Sequence, residues 1–469
     1  MIPTDCSALC ALTIKKGEFM KTIDANLAAQ LVKEGMDLTH EERMKKRDER
    51  LHALIEYVRE KSPHLKKLYE NLPDNWQLSD LPITEKSDIM ENFADWVTDT
   101  DIRLSDVESY CNRDSSDSSL YLDKYTVLHT SGTTGSPLYM VRDDHRNKLH
   151  GQLIAQRLLK GADPTLMDHT KHKIAAVIYA VHGSSSYESF LRQQRSVPGF
   201  EGNMIAINVL ENVATIVERL NAFQPEMVSA YGSVLVVLAQ EKLKGNLNIP
   251  VKMFANSAEA LSPENHKLVE ETFGCVVKNN YCMTEGGEIA MTQDGPQLLL
   301  NEDFIIIEPV DGNRNPVKDP DEWSEGILVT DLTNYVQPII RYFVNDAVKI
   351  EHIPNDQVRM PVLQIRGRAC SVFTICDRTY TTAGIDATSE LVTGVLDFQF
   401  TQVADDEICV RGVAAQGFDH EQTMTNLAKE LKQYFDDNGL PEAKVSYSLE
   451  PLIKKERGGK TPRYIDLRS

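Results

Sequence analysis

"VKMFANSAEALSPENHKLVEETFGCVVKNNY" runs from Val251 to Tyr281. Both ends are short and apolar, and the middle carries helix punctuation. Ser262 supplies an N-cap hydroxyl, Pro263 takes the first helical position, and Gly274 closes the helix. Strand, helix, strand in so short a segment requires a crossover and therefore a parallel strand pair. The same alternation extends upstream. "KIAAVIYAV" (173–181) is a continuous apolar run, as expected of a strand covered on both faces. "MIAINV" (204–209) and "EMVSA" (226–230) read as further strands. "NVATIVERLNAF" (212–223) and "VLVVLAQEKL" (234–243) read as the helices between and after them. The expectation is an α/β fold with mostly parallel sheets, whose ligands bind at the carboxyl ends of the strands.

Outward from this region the texture changes twice. Residues 38–60 read as a helix opened by a Thr39–Glu42 capping box, with Leu51, Leu54, Ile55 and Val58 as its buried stripe. Residues 1–37 before it read as a loose leader. From about 300 to 366, "DFIIIEPV", "GILVTDL", "AVKIEHI" and "VLQIRGR" are short strands parted by turns, a β-rich subdomain. Residues 38–368 thus form one large N-terminal domain, and 369–469 a small α+β C-terminal domain.

The chain has 469 residues, 41% hydrophobic content and a formal net charge of −20. That acidity disfavours a nucleic-acid partner, since phosphate binding needs a basic face. No run of about 18 apolar residues occurs, so no membrane span is expected. Eight cysteines in no zinc or haem spacing fit reduced thiols and a cytoplasmic protein.

The loop "TSGTTGSP" (130–137) follows an apolar stretch. Glycines admit close approach of backbone to an anion, and successive free N–H groups with hydroxyls can cradle phosphate. A plain polar turn is the other reading. The Walker pattern is excluded, because Ser136 and Pro137 follow Gly135. Three later segments bear on the choice. "NNYCMTEGG" sets Glu285 beyond a strand end, near Tyr281; "NYVQPIIRYFVNDAV" sets Asp346 after a strand-like run; "IKKERGGKTPRYIDL" sets Lys460 in a basic loop. Singly, each reads as an ordinary surface carboxylate, turn former or tail charge.

Together and in this order they resemble the adenylate-forming superfamily of acyl-CoA ligases, adenylation domains and luciferases, most of all its phenylacetate–CoA ligase and capsule-biosynthesis-like branch. "FANSAEAL" is similar to the segment lining the adenine site, "IRGRAC" to the interdomain hinge, and "LSDLPITEKSDIMENF" to that branch's N-terminal region. The resemblance spans roughly residues 50–469. It implies an AMP-forming ligase with ATP and Mg²⁺, and coenzyme A or phosphopantetheine as acyl acceptor. It implies that Thr130, Ser131, Gly132, Thr133, Thr134 and Gly135 hold the phosphates. Ser257, Ala258, Glu259 and Tyr281 would flank adenine, and Asp346 and Arg368 would contact the ribose or phosphates. Glu285, with Thr284 beside it, would hold the metal, and Lys460 would be the catalytic charge. The small C-terminal domain would be mobile about the hinge.

Four departures from the family pattern stand out. Leu138 follows the loop proline where most members have Lys; Cys282 replaces a Gly; Phe343, Val344 and Asn345 replace Arg-Thr-Gly; Cys370 and Ser371 replace an acidic hinge pair. The acyl pocket is expected around His182, Ser184, Tyr187, Tyr231, Gly232, Cys282 and Met283. The partner is then a small-molecule carboxylic acid, with a carrier protein or an amine as alternative acceptor. A non-catalytic nucleotide-binding protein is the rival reading. Members of the resembling branch are often dimeric, which leaves a homodimer open.

Overall fold

The computed structural model describes residues 23–114, 117, 119–130, 137–167, 171–196, 202–319, 321–366, 372–389, 391–415, 417–453 and 463–468. At its centre is a seven-stranded sheet: β3 (Ile174–Ile178), β4 (Met204–Asn208), β5 (Met227–Tyr231), β6 (Met253–Ser257), β7 (Val276–Met283), β8 (Gly287–Thr292) and β9 (Leu298–Leu300), in the order β4-β3-β5-β6-β7-β8-β9. Pairing is parallel from β4 through β7 and antiparallel for β8 and β9. All five residues of β3 are buried. Ala175 and Val177 face one core and Ile174, Ala176 and Ile178 the other, the alternation of a strand covered on both sides.

The first core is closed by α6 (Val213–Phe223), α7 (Gly232–Leu243) and α8 (Pro263–Phe273), through residues such as Ile216, Val234 and Val269. Ser262 caps α8 by accepting the Asn265 N–H at 3.2 Å, and Gly274 ends it at φ +64°. The second core is closed by α5 (Ser185–Ser196) through Phe190 and Leu191. The parallel strands bring their carboxyl ends to one edge, where Tyr231, Ser257 and Tyr281 lie.

Helix α2 (His40–Lys61) opens with the Thr39–Glu42 capping box and buries Leu51, Leu54, Ile55 and Val58. Before it, residues 25–37 differ from the loose leader expected over 1–37. Asp24 caps helix α1 (Ala25–Asp37) by accepting the Leu27 N–H at 2.8 Å, and Ala28 and Val32 are fully buried. Lys46 of α2 pairs with Glu34 of α1 at 2.7 Å. The small apolar side chains of α1 hid an amphipathic stripe.

Short α3 (Lys86–Glu91) leads towards the hairpin of β1 (Thr126–His129) and β2 (Tyr139–Arg142), and α4 (Asp144–Leu153) follows directly. Strands β10 (Ile305–Val310), β11 (Gly326–Asp331) and β12 (Tyr342–Val344) form one small sheet, and β13 (Ala347–Ile350) with β14 (Leu363–Arg366) a second hairpin. In the C-terminal part, α9 (Thr382–Ser389) precedes β15 (Val395–Ala404) and β16 (Glu407–Ala414). These strands share a four-stranded sheet backed by α10 (His420–Asp437), around a core that includes Phe400, Val410, Leu427 and Phe435. Among the described residues, no helix is long and apolar enough to cross a membrane.

Candidate nucleotide and acid site

The end of β7 gathers the acidic motifs. The Tyr281 hydroxyl donates to Asp346 Oδ2 at 2.8 Å, joining β7 to the turn between β12 and β13. Burial pushes the Tyr281 phenol well above its ordinary range, and the Asp346 charge adds to it, so Tyr281 stays a donor. Four residues on, burial raises the Glu285 carboxyl, with the Asp346 charge acting in the same direction. Arg142 and Lys86 pull the other way. Lys86, on α3, is itself drawn down to about 8 by burial, against the opposing pull of Glu285. Two carboxylates and an amine so placed match a site that takes a cation and an anion together.

Gly286 and Gly287 let this turn pass close to its neighbours. A Cβ on Gly287, at φ +70°, would stand 2.5 Å from the His150 ring and 2.6 Å from Arg146 Nη2. Arg142, at the end of β2, donates through Nη2 to the Thr284 carbonyl. The hairpin that bears the glycine-and-hydroxyl loop is therefore tied to the turn that carries Thr284 and Glu285. At the base of that loop, Thr130 N–H donates to Leu138 O at 2.9 Å, and Leu138 N–H donates to Thr130 Oγ1 at 3.0 Å. Ser131 to Gly135 lie outside the described residues, as do Arg368, Cys370, Ser371 and Lys460.

At the end of β6, Glu259 N–H closes on the Ser257 carbonyl at 2.8 Å, with Ala258 left-handed at φ +66°. The Glu259 carboxylate accepts the Ser233 N–H at 2.7 Å, at the start of α7, and the Thr382 hydroxyl of α9 at 2.9 Å. It thus caps one helix and touches the C-terminal part of the chain. Burial raises its pKa.

The acid-pocket candidates surround β3, β5 and α5. His182 is 6% exposed, and its Nδ1 meets Glu188 Oε1 at 2.9 Å. Glu188 is fully buried, and Arg113 donates to both its oxygens at 2.8 and 3.0 Å. The Ser184 hydroxyl donates to the Tyr179 carbonyl at 2.7 Å and accepts the Tyr187 N–H at 3.3 Å. The Tyr187 ring lies 5.3 Å from that of His182. The Tyr231 hydroxyl accepts the Tyr179 N–H at 3.1 Å, and Gly232 starts α7. Met283 packs with Ile305 and Val329, and burial pushes the Cys282 thiol up to about 12.

No protein-family model matches the chain. Two curated proteins do. Protein CapK of Staphylococcus aureus is 25% identical over 236 residues, covering 49% of this chain and 51% of that protein. Phenylacetate-coenzyme A ligase of Thermus thermophilus is 24% identical over 321 residues, covering 64% of each. The chain therefore spans about half to two thirds of the length of these relatives. Among solved structures, 2-hydroxyisobutyryl-CoA ligase with 2-HIB-AMP and CoA in the thioesterification state aligns over 91% of this chain and 90% of its own, at TM-score 0.56 and 20% identity. An open conformation of the same ligase aligns over 89% and 90%, at TM-score 0.51 and 19% identity. The chain has the adenylate-forming ligase fold. One of its two curated sequence relatives is a phenylacetate-coenzyme A ligase.

Within that fold, three side chains beside the motifs went unread in the sequence: Lys86, Arg142 and Glu288. His150 Nδ1 contacts Glu288, and its Nε2 meets Thr333 Oγ1 at 2.9 Å. Burial alone would raise the Glu288 pKa, but His150, Arg146 and Arg142 overcome it and hold the carboxylate at about 2. Arg146 clasps Asp331 through Nε and Nη2 at 2.9 and 2.8 Å. A spacing signal was present for Arg146 and His150, which stand four apart on one face of α4.

Proposed function

We propose that the chain activates a carboxylic acid with ATP as an acyl-adenylate and then passes the acyl group to a thiol, with coenzyme A the leading acceptor. The supporting observation is the meeting of Tyr281, Glu285 and Asp346 at the carboxyl end of β7. In the first step a carboxylate oxygen of the acid attacks the α-phosphorus, the α–β phosphoanhydride bond breaks, and pyrophosphate leaves. In the second a thiolate attacks the acyl carbon, the bond to AMP breaks, and AMP leaves.

Glu285 fits Mg²⁺. It is an oxygen donor in a place where burial and Asp346 disfavour its ionised form, a cost that a bound cation would offset. When bound, Mg²⁺ would neutralise charge on the phosphates. The residues of the chain do the positioning. Asp346 would accept from the ribose hydroxyls, with Tyr281 against adenine and Ser257, Ala258 and Glu259 along its edge. Thr130 to Gly135 would offer amides and hydroxyls to the departing phosphates. Lys86, beside Glu285, would bring a positive charge to the same region, Arg368 would contact the ribose or phosphates, and Lys460 would supply a point charge to the reacting oxygens. His182, Ser184, Tyr187, Tyr231, Gly232, Cys282 and Met283 would line the acid.

Two specific features favour a second reading, a nucleotide-binding protein without catalysis: Phe343-Val344-Asn345 before Asp346, and Cys370-Ser371 at the hinge. Acid-dependent exchange of labelled pyrophosphate into ATP separates the two. Exchange with at least one acid, lost in Lys460→Ala and Glu285→Ala, supports the ligase. ATP binding with no exchange for any acid supports the binder. Product analysis with coenzyme A, a carrier protein and amines then identifies the acceptor.

A further inference from the structure

Strand β7 separates two environments. Tyr281 faces Asp346, whereas the neighbouring Cys282 lies under the charges of Glu288 and Arg142. Cys282 stands among the residues assigned to the acid. The wall beyond it is cationic. Arg142 is 6% exposed; its Nη2 donates to the Thr284 carbonyl, and its Nε is buried with no partner. Arg192, on α5, donates at 3.4 Å to the Asn147 carbonyl of α4, and its charge acts on Arg142.

Glu288 and Asp331 lie near enough for their charges to act on Arg142, and Glu288 acts on Arg192 too, but the hydrogen bonds of the buried carboxylates go to other partners. Asp331 is held by Arg146 at 2.8 Å, and Glu288 contacts His150. Asp143 accepts the Arg146 N–H at 2.8 Å and caps α4, and Glu188 is shared by Arg113 and His182. Among the described residues, no carboxylate forms an ion pair with Arg142 or Arg192. The Arg142 Nε is a buried donor without a hydrogen-bond partner, which is costly unless something supplies an acceptor. A guanidinium also presents a planar fork that suits a carboxylate or phosphate.

Resting on the ligase reading, we propose that the acid carries a second negative group, distal to the reacting carboxylate, received by Arg142 and Arg192 on the Cys282 side of β7. The substrate class is then a dicarboxylic or similarly dianionic acid. The triphosphate of ATP is the other anion these arginines could meet. Arg142 ends β2 away from the phosphate loop, paired with Thr126, but also donates to the Thr284 carbonyl beside Glu285, so only the separate acid and ATP preferences of a variant distinguish the two anions.

Pyrophosphate exchange by the full chain with matched acids tests this: succinate against butyrate, and phthalate against benzoate. The expected result is a kcat/KM at least about 10-fold higher for one dianion than for its monoanionic partner. Arg192→Gln should shrink that ratio by about 10- to 100-fold, the scale of one charge-assisted hydrogen bond, through the KM for acid. The KM for ATP should stay within about 2-fold. Equal or better exchange with the monoanions overturns the inference and leaves the ligase reading standing. A raised KM for ATP with an unchanged acid preference assigns the arginines to the phosphates and overturns it too. No exchange with any acid overturns the ligase reading and the inference with it. Unfolding midpoints of wild type and variant distinguish a lost binding group from a damaged fold.

Discussion

The Tyr281 hydroxyl and the Asp346 carboxylate meet at 2.8 Å although 65 residues separate them. The contact joins the end of a central-sheet strand to the turn that leads into β13, so two motifs remote in sequence share one edge of the fold. Asp346→Ala is expected to raise the KM for ATP in pyrophosphate exchange by about 10-fold or more, the loss of a charge-assisted pair of hydrogen bonds. Tyr281→Phe removes only the donor that orients Asp346 and should cost less, about 3- to 10-fold. Unchanged ATP affinity in Asp346→Ala, measured calorimetrically, would remove Asp346 from the nucleotide site.

Lys86 and Glu285 provide a second test, because their charges act on each other across the same turn. Glu285→Gln should shift the Mg²⁺ dependence of exchange to higher concentration, since a neutral amide is a weaker ligand for a hard cation. Lys86→Met should lower kcat by about 10²-fold while leaving the KM for acid within a factor of two, as expected of a charge that serves the phosphates in the transition state. A Lys86→Met enzyme with wild-type kcat would reduce this lysine to a structural neighbour of Glu285.

The fold was legible because its signals are local. Period and punctuation mark α8 between β6 and β7, and the unbroken apolar run marks β3 as a strand buried on both faces. Glu285 and Asp346 were legible through short motifs at strand ends. Lys86, Arg142 and Arg192 carry no such signature. Each comes from a different segment, and only the tertiary fold sets Lys86 beside Glu285 or leaves the Arg142 Nε without a hydrogen-bond partner. Ser184 and Glu259 sit at loop positions where their polar atoms also serve local turns and helix starts.

Glu288 makes the large domain's stability depend on acid pH. Its carboxyl stands at about 2 in the folded protein against a usual 4.5, so the folded state binds the proton less readily than the unfolded chain. The stabilisation, about 3 kcal/mol by linkage, is fully present above pH 4.5 and is lost as pH falls from there towards 2. Glu288→Gln should lower the unfolding free energy at pH 7 and flatten this acid limb. Denaturant titrations of both proteins between pH 3 and pH 7 measure the difference. Parallel curves would mean that Glu288 is not ionised against its neighbours in the folded state.

Glu188 is held by two side chains at once. Arg113 grips both its oxygens, and His182 shares one of them, all in a setting where Glu188 is fully buried. Glu188→Gln keeps the shape but leaves the Arg113 guanidinium buried and uncompensated, which should cost about 3–5 kcal/mol of stability. Arg113→Met strands the carboxylate instead and should cost a similar amount. In the double variant the two losses should be well below additive, because the stranded charge that dominates each single change is gone. A double-mutant cycle by denaturant unfolding measures that coupling. Strict additivity would show that Arg113 and Glu188 act independently and that His182 is held in place by something else.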